Sequence, residues 1–262
     1  MLALLSPAKR LDFESPLSVS THSLPALLDD TGKLIKTTRN LTQKRLRELM
    51  DISADLAKLN HDRYKQLTTD LTPDNARPAI LAFKGDVYTG LDAATLSEDD
   101  LAFAQDHIGI LSGLYGYLRP LDLIQPYRLE MGTKLPTRRG RNLYDFWGDR
   151  ITRQVQARLA DSGDPTVVNL ASAEYFKSVQ VDRLGARVVT PVFQDVKDGK
   201  ARVLFLFAKQ ARGMMARYII DHRLTDPEGL KRFDRGGYQF QPDLSDDDRW
   251  VFQRPQPPPA RR

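Results

Sequence analysis

Cysteine is absent from all 262 residues. Disulfides, thiolate metal sites, thiol peroxidase chemistry and cysteine nucleophiles are therefore excluded. Histidine is scarce: His22, His61, His107 and His222 are the only four, and none falls in an H-x-x-x-H or E-x-x-H pair. Metal sites, an iron store, haem and iron–sulfur clusters lose their usual ligands, and no cofactor is expected. Three phosphate- and nucleophile-presenting patterns are also missing: G-x-x-x-x-G-K-[ST], G-x-G-x-x-G and G-x-S-x-G. No apolar run approaches the length of a membrane span. Met1 to Leu5 is apolar, but Ser6-Pro7-Ala8-Lys9 ends it too soon for a signal peptide. A cytoplasmic protein with no membrane association is the expectation.

What is present is an ordinary globular composition, 41% hydrophobic and 28% charged, with a basic balance of 39 Lys and Arg against 34 Asp and Glu. A net charge of +5 favours polyanionic partners. The chain reads as one integrated α+β domain over 1–243, with a mixed sheet and surrounding helices. Residues 244–262, acidic at Asp246-Asp247-Asp248 and then Pro-rich, read as a disordered tail. A monomer is the simplest assembly.

Along the chain, Leu2 to Leu5 reads as a buried strand whose following loop delivers Lys9 and Asp12 to a cleft. Residues 23–39 and 42–59 read as helices, and Ala79 to Phe83 as a buried strand leading into Lys84-Gly85-Asp86-Val87-Tyr88. Ser97 is an N-cap followed by Glu98, Asp99 and Asp100, which complement the helix dipole. Residues 142–161 read as a helix and Thr166 to Leu170 as a β-branched strand. Val188 to Val196 and Ala201 to Ala208 read as strands around Asp198-Gly199, a strong hairpin signal. Residues 208–223 form an amphipathic helix with Lys209, Arg212, Arg217 and Arg223 gathered on one side.

The stretch Leu111-Ser112-Gly113-Leu114-Tyr115-Gly116 draws attention, because two glycines three apart in a turn leave backbone N–H groups free to form an anion-binding nest. The form apolar-x-Gly-apolar-x-Gly is similar to the hairpin of helix-hairpin-helix modules. A plain tight connection explains the glycines equally well. Pro120 follows Gly116 so closely that any second helix must be short or interrupted.

Two functional readings stand side by side. In the first, Lys9, Lys84, Ser112, Gly113, Gly116, Arg119, Arg128, Lys177, Lys209, Arg212 and Arg217 contact DNA. Cations would neutralise phosphates, the nest would donate N–H bonds, and tyrosines 88, 115, 127, 144 and 175 would pack on sugars or bases. Such contacts carry little sequence preference, so duplex or distorted DNA is the expected partner. In the second, Lys84, Asp86, Tyr88, Asn169, Ser172, Glu174 and Lys177 line the cleft of a nucleic-acid or nucleoside-modifying enzyme, with Asp86 or Glu174 as general base.

Several of these segments together closely resemble the bacterial peroxide stress resistance family YaaA. They are Ser6-Pro7-Ala8-Lys9, Phe83 to Leu91, Leu111 to Gly116, Arg119-Pro120-Leu121-Asp122 and Pro126 to Gly132. Asn169 to Ser172 with Tyr175-Phe176-Lys177, and Lys209 to Met214 with Arg217, complete the set. The resemblance runs in order from Met1 to about Phe240. It implies a cytosolic protein of the hydrogen peroxide response that lowers free intracellular iron and binds DNA. The implied fold is single-domain α+β, with a positively charged cleft and a helix-hairpin-helix-like element.

Overall fold

The computed structural model describes residues 1–17, 19–160 and 164–258. Its centre is a mixed eight-stranded sheet. In chain order the strands are β1 (Leu2–Leu5), β2 (Ile108–Ser112), β3 (Gly116–Leu118) and β4 (Thr166–Leu170). The others are β5 (Arg187–Lys197), β6 (Lys200–Arg202), β7 (Gln239–Phe240) and β8 (Arg249–Pro255). The spatial order is β7-β8-β5-β4-β1-β2-β3, with β6 paired to β5. The inner strands β2, β1, β4, β5 and β8 run parallel, while β3, β6 and β7 join antiparallel at the margins. Parallel strands covered on both faces need continuous apolar runs, which Leu2-Ala3-Leu4-Leu5 supplies with every residue buried. Flanking helices cover the sheet, as the α+β reading expects.

The helices that matter below are α1 (Leu28–Arg39), α2 (Gln43–Met50), α3 (Ala54–Gln66), α4 (Asp86–Leu91) and α5 (Glu98–His107). They continue as α6 (Leu143–Trp147), α7 (Arg150–Ala160) and α8 (Phe205–Asp221). Ser97 caps α5 in a reciprocal box, accepting from the Asp100 N–H at 3.1 Å while Asp100 accepts from the Ser97 N–H at 3.0 Å. The helix expected over 42–59 is two, because Asp51 ends α2 in the left-handed region (φ 50°) and Ser53 caps α3. Asp tolerates that conformation better than most residues. A similar break at Gly148 divides the helix expected over 142–161 into α6 and α7, and residues 161–163 lie outside the described ones.

Three further expectations need correction. Ala79–Ala82 is a single helical turn and not a strand; the Ala79 and Ile80 N–H groups bond to the Asp122 and Pro120 carbonyls, so no sheet neighbour is needed. The strand expected over 201–208 ends at Arg202, and α8 begins at Phe205. The Asp198-Gly199 turn itself is as expected, with φ of 52° and 70°.

The third correction concerns the tail. Residues 249–255 form β8, which pairs in parallel with β5, and Trp250, Val251 and Phe252 are buried. Phe252 stacks on Phe193 of β5, whose ring also meets Phe233 and Tyr238. Arg254 reaches the buried Asp195 carboxylate at 2.7 Å. The acidic triplet is the turn entering this strand: Asp246 accepts from the Asp248 and Arg249 N–H groups. Composition hid a Trp-Val-Phe strand between an acidic turn and prolines. The last four residues of the expected tail, 259–262, lie outside the described ones.

Candidate functional site

Adjacent strands β1 and β4 send their chains in opposite directions along the sheet, β1 towards β2 and β4 towards β5. Such a switch point opens a crevice at the carboxyl ends of the strands, where ligands bind in open α/β sheets. The crevice here is a cavity of about 420 Å³. Ser6 through Arg10, after β1, form one wall, and Ser172, Glu174 and Tyr175, after β4, form another. Ser6 Oγ accepts from the Ser172 N–H at 2.8 Å, tying the two strand ends together. The start of α4, the segment Tyr127 to Glu130, and Lys209 and Arg212 of α8 close the rest.

Glycine makes the α4–α8 wall possible. A Cβ on Gly213 would sit 1.8 Å from the Val87 carbonyl oxygen, and one on Gly90 would sit 2.1 Å from that of Gln210. The helices therefore cross backbone to backbone, which brings Asp86 and Arg212 to one cavity.

The floor is aromatic. Tyr88, Tyr127 and Tyr175 are each less than a tenth exposed. Burial pushes all three phenols well above their ordinary pKa, so they present neutral rings. The Tyr88 hydroxyl donates to the Ser6 carbonyl at 3.1 Å, and Tyr127 shares a 2.6 Å bond with Ser112.

The mouth is basic, with six Lys and Arg against three carboxylates on the lining. Several of these charges are already engaged. Glu130 holds Lys9 at 2.7 Å and Arg128 at 3.2 Å, and Lys84 lies 3.2 Å from Asp12. Hydrogen bonds from the Ser15 N–H and hydroxyl, then from Glu14 N–H and Lys84, hold Asp12 far below the usual carboxylate range. Glu174 accepts from the Gly132 N–H at 2.8 Å. Among the described residues no hydrogen-bond or ion-pair partner stands beside the side chains of Arg10, Asp86, Lys209 or Arg212. Arg10 lies directly across a short antiparallel pair from Lys84, where like charges repel. Arg212 is half-buried, and burial lowers its pKa, the mark of a cation lacking a counter-charge. An anion in the crevice would relieve both strains.

Five of the expected DNA contacts, Lys9, Lys84, Arg128, Lys209 and Arg212, thus converge on one cavity. The other six do not line it. Ser112, Gly113 and Gly116 belong to a hairpin between β2 and β3, so strands and not helices flank the turn. Ser112 is fully buried and accepts from the Tyr115 N–H at 3.0 Å; a Cβ on Gly113 would lie 2.2 Å from the Leu129 carbonyl oxygen. Trp147 donates to the Gly113 carbonyl at 3.1 Å. The glycines serve close packing, and the turn is not an outward-facing nest. Arg119 pairs with buried Asp122 at 3.1 Å, and Lys177 lies over the Tyr144 ring. Arg217 pairs with Asp221 at 2.8 Å and donates to the Asp92 carbonyl and the Thr95 hydroxyl, bracing the end of α4.

Sequence reasoning missed two lining residues. Arg10 precedes no recognisable motif and matters only through its cross-strand position. Glu130 neutralises two cations; it lay within the Pro126 to Gly132 segment, but nothing in that segment's residues marked its charge pairing. Among the described residues no group of three or more His, Asp or Glu gathers as a metal site, and no helix is long and apolar enough to cross a membrane.

Comparison with known proteins agrees with the resemblance carried by the motifs. UPF0246 protein RSc2009 of Ralstonia nicotianae is 54% identical over 254 residues, covering 97% of this chain and 99% of that protein. The family model described as peroxide stress protein YaaA matches residues 1–244, most of the chain, including every residue that lines the crevice. The chain belongs to the YaaA family of peroxide stress proteins.

Proposed function

We propose that this member of a peroxide stress family is a DNA-binding protein whose crevice at the ends of β1 and β4 receives the phosphate backbone. The carrying observation is the set of cations that, among the described residues, have no counter-charge at a strand switch point: Arg10, Lys209 and Arg212; Lys84, opposite Arg10, is already paired with Asp12. Phosphates would supply the missing charge. Contacts of this kind read no sequence, so duplexes of different sequence bind alike. Protection in the cell follows from occupying DNA during peroxide stress. The family's association with low free iron enters as a cellular outcome, measured as chelatable iron in peroxide-challenged cells with and without the protein.

The direct test is a salt titration of duplex binding. Each phosphate contact contributes about −0.9 to the slope of log K against log salt, so the three free cations give roughly −2.7. Replacing Lys209 and Arg212 with Ala should shrink that slope by about 1.8. Binding that ignores salt, or a double variant with an unchanged slope, would remove the crevice from the account.

A further inference from the structure

The crevice has more than a phosphate cradle needs. A cavity of about 420 Å³ suits one small ligand and is too confined for a duplex. Paired DNA can touch the lysines at the mouth, whose side chains are 60% and 63% exposed for Lys9 and Lys84. It cannot reach the tyrosine floor. Only a nucleotide taken out of the stack could do so, and neutral aromatic faces are what an extruded base packs against.

Asp86 sets a second puzzle. It is a half-buried carboxylate with no partner among the described residues, in a cavity otherwise suited to anions. A free carboxylate there repels phosphate, and it becomes favourable only when the ligand brings hydrogen-bond donors. Of the four bases, guanine alone carries two adjacent donors on its pairing edge, N1–H and the exocyclic amino group. A carboxylate accepts both in the bidentate manner it accepts from arginine. Adenine and cytosine place a lone-pair nitrogen beside their amino group, and thymine flanks its single N–H with two carbonyls.

Building on the DNA-binding reading, we propose that the crevice takes a single unpaired nucleotide of bound DNA, with guanine preferred. Asp86 accepts the base edge, the tyrosine floor packs the ring, and Arg212 with Lys209 holds a neighbouring phosphate. The Gly90–Gly213 crossing is what places the carboxylate and the guanidinium in one cavity.

The test compares a fully paired duplex with duplexes carrying one bulged G, A, C or T, using wild type, Asp86→Asn and Asp86→Ala. The wild type should bind the bulged-G duplex about tenfold more tightly than the other bulges. Both variants should lose that preference while binding the paired duplex more tightly, since a negative charge has left the phosphate cleft. A thermal melt that matches wild type shows that the tighter binding belongs to the folded variant and not to non-specific contacts of an unfolded basic chain. Equal affinity for all four bulges in the wild type, or a preference retained in both variants, overturns the proposal. If the wild type binds no duplex at all, the DNA-binding reading fails separately. Isothermal titration with dGMP and dAMP then decides: a dGMP preference lost in Asp86→Asn supports the guanine site, and no preference refutes it.

Discussion

Gly213→Ala tests how the crevice is built. The new methyl would lie 1.8 Å from the Val87 carbonyl oxygen and 2.8 Å from the Leu91 nitrogen, both backbone atoms that no rotamer change can move. Two effects oppose each other. Alanine in a helix gains about 0.8–1.0 kcal/mol over glycine, whereas overpacking a tight contact costs about 1–3 kcal/mol. Contact with backbone at this separation belongs at the upper end, so the expected net loss is about 2 kcal/mol. Relief requires α4 and α8 to part, which carries Asp86 away from Arg212 and loosens the cavity. Urea denaturation should show a lower midpoint with an unchanged m value, and duplex affinity should fall in the folded variant. A variant as stable as wild type, with unaltered binding, would show that the crossing neither limits packing nor shapes the site.

Other expectations separate structural from binding roles. Arg217→Ala should destabilise the fold, since it strips the Asp92 and Thr95 contacts at the end of α4, yet leave the salt slope of duplex binding intact. Arg212→Ala should reduce that slope by about 0.9. Hydrogen bonds from the Ser97 hydroxyl and N–H, and then Arg223, hold Asp100 down to about 2 from 3.8. A depressed carboxylate stabilises the fold above its unfolded pKa, and that contribution is lost as pH falls from about 3.8 to about 2. Asp100→Asn should therefore flatten the pH dependence of Tm in that window and cost about 0.3–1 kcal/mol at neutral pH as a lost negative charge in the first helical turn. Trp250→Ala should cost about 3–5 kcal/mol as a buried aromatic truncation; a loss under 1 kcal/mol by denaturation would return β8 to the status of a loose tail.

The legible parts of this molecule were those governed by local chemistry. Leu2-Ala3-Leu4-Leu5, Thr166 to Leu170, Ser97 and Asp198-Gly199 each act through apolar continuity, a cap or a turn conformation, and each forms the expected element. Lys9, Lys84 and Arg212 were also legible, as cations beside strand ends and on a helix face. The Ser112–Gly116 turn was not, because glycine spacing looks the same whether backbone N–H groups face solvent or Leu129 and Trp147 crowd the turn. Arg217 and Arg212 sit five residues apart on α8, and only tertiary packing decides that one braces Asp92 while the other faces the crevice. Strand β8 was masked by its neighbours, since composition averages an acidic turn and a proline run over three buried residues. Charge pairing is likewise invisible in sequence: Glu130 and Asp12 claim Lys9, Arg128 and Lys84, which leaves Arg10, Lys209 and Arg212 as the cations at the mouth without partners among the described residues.

The measurement that bears most directly on the account is a crystal structure of the protein with a short duplex bound. Phosphate oxygens should lie within hydrogen-bond reach of Arg212 and Lys209, at the crevice between the ends of β1 and β4. DNA seated instead on the β2–β3 hairpin around Ser112–Gly116, or on a face remote from Arg212, would contradict it.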